Sequence, residues 1–128
     1  MILVDSDVLI AHLRGVGAAR AWLRDARSTT GPLGVSAVSV TEITGGMRSG
    51  ERSAVWQLLG SLSVEDVTEV VARRAGELMR HYRRSHPGIG LGDYFIAATA
   101  DVRGLELATL NVRHYPMFRG LRAPFRLR

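Results

Sequence analysis

Apolar residues fall in short blocks along this chain, separated by polar and glycine-rich punctuation, and their spacing changes from block to block. Ile2, Leu3 and Val4 make a block too short for a helix. They predict a buried strand that stops at Asp5-Ser6-Asp7. Apolar positions then resume at helical spacing to Leu13, and Gly15 and Gly17 break that helix. Ala18 to Arg27 predicts a second helix through Ala19, Trp22, Leu23 and Ala26, and Ser28 to Gly34 is loop. Leu33 to Val38 reads as a strand, followed by Val40, Ile43 and Met47 at helical spacing, with Gly45-Gly46 weakening the helix. A helix over Glu51 to Leu62 and a strand over Leu62 to Val67 come next. Thr68 to Ser85 is the clearest helix, with Val71, Ala75, Leu78, Met79 and Tyr82 as its inward stripe.

His86 to Gly92 is a Gly/Pro loop before a helix over Asp93 to Val102, where Ala97, Ala98 and Ala100 permit close approach to a sheet. Gly104 ends that helix. Leu105 to Leu110 predicts a strand ending at Asn111, Tyr115 to Gly120 a turn, and Ala123 to Leu127 a last edge strand. Strands alternating with helices predict an α/β domain with a mainly parallel sheet. The length of 128 residues suits a single domain spanning 1–128.

Composition narrows the chemistry. The chain has no cysteine, which removes disulfides, thiolate zinc sites and cysteine nucleophiles together. It has no lysine either, so all 17 basic residues are arginine and the net charge is +5. That balance favours a polyanion or an acidic protein as partner, and the planar guanidinium fork suits phosphate. On the helix over Thr68 to Ser85, Arg73, Arg74, Arg80, Arg83 and Arg84 crowd the outer surface, as a solvated face or a partner or RNA surface. No apolar run approaches the ~18 residues that span a bilayer, and no basic segment precedes the first apolar block. The expectation is a cytoplasmic protein without a membrane partner.

Placed on this map, the acids form a pattern. Asp5 and Asp7 follow the first strand, Glu42 lies just after the second, and Asp93 opens the helix after the glycine loop. Ligands of open parallel sheets collect outside the carboxyl ends of the strands, so these positions are candidates for one site. Each also has a local explanation. Asp5, Ser6 or Asp7 can cap a helix, Ser39-Val40-Thr41-Glu42 matches a capping box, and Asp93 suits an N-cap or first helical turn. Together, however, several carboxylates at one edge repel unless arginine or a hard cation neutralises them, and oxygen-only ligands suit Mg²⁺ or Mn²⁺. His12, His81, His86 and His114 show no paired zinc spacing, and His114 is the one nearest this site in sequence.

Four segments, ILVDSDVLI, VSVTEITGGMR, GIGLGDYFIAATA and LATLNVRHYPMF, resemble those of PIN-domain ribonucleases, in the order found in VapC-type toxins of toxin–antitoxin pairs. The resemblance runs from one end of the chain to the other and implies a three-layer α/β/α fold. It also implies a Mg²⁺- or Mn²⁺-dependent endoribonuclease that leaves 5′-phosphate and 3′-hydroxyl ends. Asp5, Glu42 and Asp93 match the family's metal-holding acids, with Asp7 as an auxiliary carboxylate. A fourth position, often acidic, falls on Asn111, which adds no charge. Glu42 and Asp7 are both candidates to take the proton from water, and Arg48 and Arg113 are candidate RNA phosphate contacts. The implied partners are tRNA or rRNA, a cognate VapB-type antitoxin and a second copy of the chain.

Two further readings meet the same obstacle. The Asp5-Ser6-Asp7 triplet resembles the DxDx(T/V) motif of haloacid-dehalogenase-type phosphatases, but Leu9 stands where Thr or Val belongs. Both that family and phosphate-accepting receiver domains expect a lysine, which this chain lacks. The remaining alternative is a PIN-like module that binds RNA or a partner through a weakened metal site.

Overall fold

The computed structural model describes residues 1–127. Four strands form one sheet: β1 (Ile2–Val4), β2 (Gly34–Ser36), β3 (Ser63–Glu65) and β4 (Glu106–Ala108). Their order is β3-β2-β1-β4 and every pairing is parallel. Six helices separate them: α1 (Ser6–Leu13), α2 (Gly17–Thr30), α3 (Ala37–Gly45), α4 (Arg52–Gly60), α5 (Glu69–Tyr82) and α6 (Leu91–Arg103). A 3₁₀ turn, Val112–His114, follows β4.

Alternation along β1 divides the interior. Leu3 faces α5, α6, Leu107 and Tyr115, whereas Ile2 and Val4 face a second cluster with Val8, Leu9, Leu23, Val35, Ile43 and Val55. Successive strand side chains point to opposite faces, so a three-residue strand feeds both sides of the sheet. The result is a three-layer α/β/α arrangement: the alternating pattern predicted its α/β character, and the family resemblance implied its three layers. Ala97, Ala98 and Ala100 are buried in α6, where small side chains let the helix lie close to its neighbours.

The strand order carries a functional consequence. The chain runs from β1 outward through β2 to β3, then returns to place β4 on the other side of β1. The reversal puts a topological switch point between β1 and β4, where a crevice opens beyond the strand ends. Asp5 N–H donates to the Ala108 carbonyl at 2.8 Å, so the last residues of these two strands are tied together at that crevice.

Several local expectations need correction. The capping box at Ser39 does not form. β2 stops at Ser36, whose hydroxyl accepts from Val38 N–H at 3.1 Å and starts α3 earlier. Glu42 therefore lies in the second turn of α3, and Asp93 is the third residue of α6 rather than its first. No strand forms over Ala123 to Leu127. Phe125 packs against the α1–α2 side of the core, while Pro124 has no N–H to give a ladder. No helix among the described residues is long and apolar enough to cross a membrane.

Packing of α6 leaves no room for added bulk. Ala97→Leu is expected to cost about 1–3 kcal/mol by overpacking. Urea denaturation should show a lower midpoint at unchanged slope; an unchanged midpoint would mean that α6 does not seat as tightly as its burial indicates.

Candidate functional site

The first strand delivers its carboxylate by stopping. Asp5 has extended backbone and caps α1, with its Oδ1 accepting from Ser6 N–H at 2.7 Å. Its other oxygen, Oδ2, accepts from Thr109 Oγ1 at 2.8 Å and Tyr115 OH at 2.9 Å. Asp5 is 5% exposed. Burial raises its pKa, the hydrogen bonds from Thr109, Tyr115 and Ser6 pull it down, and the charge of Asp93 raises it again.

Asp7 sits one position into α1 and turns back to the end of β4. Its Oδ2 accepts from Leu110 N–H at 3.1 Å and from Thr109 Oγ1 at 3.2 Å. Its Oδ1 is buried with no partner among the described residues. Burial, and then the neighbouring charge of Asp5, push its pKa up to about 6. The Thr109 hydroxyl carries one proton for two carboxylates. It cannot serve both fully, and a proton on Asp7 relieves the shortage.

Glu42 and Asp93 close the cluster from the other helices. Glu42 Oε1 accepts from Ser6 Oγ at 3.0 Å, and that hydroxyl also lies 3.4 Å from Asp5 Oδ1. Burial raises the pKa of Glu42, the Ser6 bond lowers it, and the charges of Asp5 and Asp93 raise it further. A β-carbon on Gly92 would come within 3.4 Å of both Glu42 Oε2 and Val38 Cγ1. Glycine there lets the start of α6 lie against α3 beside Glu42. Asp93 Oδ1 accepts from Tyr115 OH at 3.3 Å, so one phenol spans Asp5 and Asp93.

Asp93 Oδ2 meets His114 Nδ1 at 2.9 Å and also accepts from Gly90 N–H at 3.1 Å. Asn111 meets the same Nδ1 at 2.9 Å through its side chain, and its backbone N–H donates to Thr109 Oγ1 at 3.1 Å. A ring nitrogen that donates to Asp93 cannot accept from an amide N–H. The contact is satisfied when Asn111 turns its amide oxygen to the ring.

The sequence candidates thus separate into two groups. Asp5, Asp7, Glu42 and Asp93 converge, with Asn111 joined to them through Thr109 and His114. Arg48 and Arg113 are exposed outside this network. The Arg48 backbone N–H is tied to Glu51, while Arg113 lies in the turn that carries His114. Sequence reasoning missed Thr109 and Tyr115 and took Ser6 only as a cap. The parallel register of β1 with β4 would have placed Thr109 beside Asp5.

Among the described residues, no arginine lies within ion-pair distance of Asp5, Asp7, Glu42 or Asp93; His114 is the one basic side chain in contact, on Asp93. The donors are oxygens, crowded, partly buried and uncompensated, which fits a hard divalent cation. The unpartnered Asp7 Oδ1 fits the same chemistry. The acids do not stand as a closed cage: among the described residues, no three His, Asp or Glu side chains are disposed to hold a metal ion as they lie. Their oxygens are engaged by Thr109, Tyr115, Ser6 and His114 instead.

Comparison with known proteins agrees with this geometry. The PIN domain family model matches residues 2–117. The chain is 67% identical over 125 residues to ribonuclease VapC10 of Mycobacterium tuberculosis, covering 98% of this chain and 93% of that protein. It is 39% identical to ribonuclease VapC19 of the same organism, covering 98% and 100%. Among solved structures, a toxin–antitoxin complex from Klebsiella pneumoniae superimposes with TM-score 0.80 at 23% identity over 98% of each chain. VapBC2 from Rickettsia felis, bound to a promoter DNA fragment, gives 0.78 at 18% identity over 96% and 97%. The chain belongs to the PIN-domain family and, within it, to the VapC group.

Two outcomes follow from the hydrogen bonding. Tyr115→Phe removes the donor shared by Asp5 and Asp93, and is expected to cost about 1–3 kcal/mol of stability in metal-free buffer. Calorimetry that finds no change would show the phenol to be dispensable. For Asp7, the folded-state pKa lies above the unfolded value, so the native protein holds the extra proton between about pH 4 and 6. Stability from this group rises as pH falls through that window and is lost above it. Asp7→Asn should remove this slope and raise stability at pH 7 by up to about 3 kcal/mol. Parallel slopes for native and variant chains in denaturant titrations across pH would contradict it.

Proposed function

We propose that this chain is a metal-dependent endoribonuclease, the toxin of a toxin–antitoxin pair, carried by one PIN domain over residues 1–128. The observation that carries the reading is the convergence of Asp5, Asp7, Glu42 and Asp93 at the switch point between β1 and β4, with no arginine among the described residues to neutralise them. Similarity to two proteins named as VapC ribonucleases supports the activity. Structural likeness to a chain of a toxin–antitoxin complex supports a VapB-type antitoxin as partner, and a homodimer in the cytoplasm accords with the family.

Asp5, Glu42 and Asp93 would hold Mg²⁺ or Mn²⁺, with Asp7 as auxiliary and Asn111 as a neutral contact to water or phosphate. The chemistry such an ion supplies when bound is charge neutralisation at the scissile phosphate and a more acidic water. The chain's own groups supply the rest. Thr109 and Tyr115 fix the Asp5 carboxylate, Tyr115 and His114 fix Asp93, and Ser6 fixes Glu42. Asp7 and Glu42, both with pKa values raised by burial and neighbouring charge, are the two groups suited to accept a proton from an attacking water. The substrate class is tRNA or rRNA.

The direct test is cleavage of a mixed tRNA and rRNA pool with Mg²⁺ or Mn²⁺, using native protein beside Asp93→Asn. Cutting should require the metal. The variant should lose more than the roughly 10–100-fold typical of losing an outer hydrogen-bond partner to a metal ligand. Metal-independent cutting, or full activity in the variant, would overturn the reading. RNA bound but never cut would favour the binding-only alternative.

A further inference from the structure

The arginines of α5 are not equivalent. In its N-terminal half Arg73 pairs with Glu69 at 2.6 Å, and Arg74 pairs with Asp101 at 2.6 Å and Glu77 at 3.7 Å. In its C-terminal half and just beyond, Arg80, Arg83 and Arg84 are exposed and have no carboxylate within ion-pair distance among the described residues. These three rim a concavity of about 480 Å³ whose floor is Gly76 and Met79. A helix C-terminus favours cations through its dipole, but that accounts for their sign and not for a concave, arginine-rimmed surface.

The chain places this surface at the same end of the molecule as the acids. α5 leads through residues 83–90 directly into α6, whose third residue is Asp93. Within that loop a β-carbon on Gly88 would lie 3.9 Å from His114 Nε2, on the ring bonded to Asp93. Exposed Arg113 precedes that same histidine. Arg80, Arg83, Arg84 and Arg113 are thus carried on segments that adjoin the acidic crevice, and none of them pairs with a carboxylate among the described residues. The acids themselves repel an RNA strand, so holding one across them needs positive charge beside them.

We propose that Arg80, Arg83 and Arg84 form a binding surface for the sugar–phosphate backbone of the RNA, seating the strand beside the acidic crevice. The inference rests on the nuclease reading and adds the residues that would carry the substrate. Guanidinium groups donate paired hydrogen bonds to phosphate oxygens, and a backbone surface weakens all sequences alike when removed.

The test compares Arg80→Gln/Arg83→Gln/Arg84→Gln with Arg24→Gln/Arg52→Gln/Arg103→Gln, which removes the same charge from three separate helices, α2, α4 and α6. Binding of labelled single-stranded RNA is followed by fluorescence anisotropy in EDTA across a salt series. Thermal melts first confirm that both variants fold. The α5 variant should lower the slope of log K against log salt by about 2, as three lost phosphate contacts on a single strand predict. With metal restored, KM should rise about tenfold while kcat holds within about twofold, the pattern for lost uniform binding. Equal losses in the two variants would show only a net-charge effect and overturn the surface. Unchanged RNA binding with lost binding of a polyglutamate peptide would give the face to an acidic protein and overturn it too. Native protein that never cuts, yet binds RNA through these arginines, overturns the nuclease reading alone. Cutting with an unchanged KM in the α5 variant overturns this surface alone.

Discussion

Repulsion among the carboxylates at the carboxyl edge of the sheet sets the terms for everything around it. Asp5 and Asp7 are close enough that one charge raises the pKa of the other, and Glu42 feels both Asp5 and Asp93. A chain left to relax would turn these side chains apart into water. Here β1 is hydrogen-bonded on both sides and its two faces are buried in separate clusters, so Asp5 cannot retreat. The free energy that holds the acids together is therefore the burial of apolar helices on either face, acting through a strand three residues long.

Hydroxyl donors then settle which oxygen faces where. Ser6, Thr109 and Tyr115 each carry one proton and each lies between two carboxylates. Neutral donors steer the acids without cancelling their charge, which a guanidinium would do. Part of the remaining mismatch falls on Asp7, whose pKa is pushed up to about 6 by burial and by the charge of Asp5. Substituting it would relieve the fold and remove a group suited to proton transfer, a common conflict between stability and activity.

The acids and the layer order were legible because both rest on short-range signals: a strand that stops on a carboxylate, glycine and proline at loops, and apolar spacing on helices. The supporting donors were not. Thr109 and Tyr115 reach Asp5 across 104 and 110 residues, and no local period encodes such contacts. Boundaries failed where a side chain chose between two local bonds. Ser36 caps α3 in place of Ser39, which moves Glu42 a turn deeper and sends its carboxylate across to Ser6. The apolar residues after Ala123 pointed to a strand, but Phe125 serves as cover for the core without joining a ladder.

The distribution of arginine completes the picture. Glu51, Glu65, Glu69 and Asp101 take up Arg14, Arg103, Arg73 and Arg74 away from the crevice. The Arg73–Glu69 and Arg74–Asp101 pairs are surface contacts of small individual worth, and Arg14–Glu51 is half-buried. Their collective pattern is selective: among the described residues, these arginines pair with acids elsewhere and no arginine pairs with Asp5, Asp7, Glu42 or Asp93. A guanidinium inside would pin the acids in an ion pair and depress their pKa values, and it would compete with any divalent cation for the same oxygens. With no such pair among the described residues, the carboxylates keep their mutual repulsion and leave the hydroxyls of Ser6, Thr109 and Tyr115 as the groups that orient them. In a chain whose strong cations are all arginine, only placement can keep a guanidinium off clustered carboxylates.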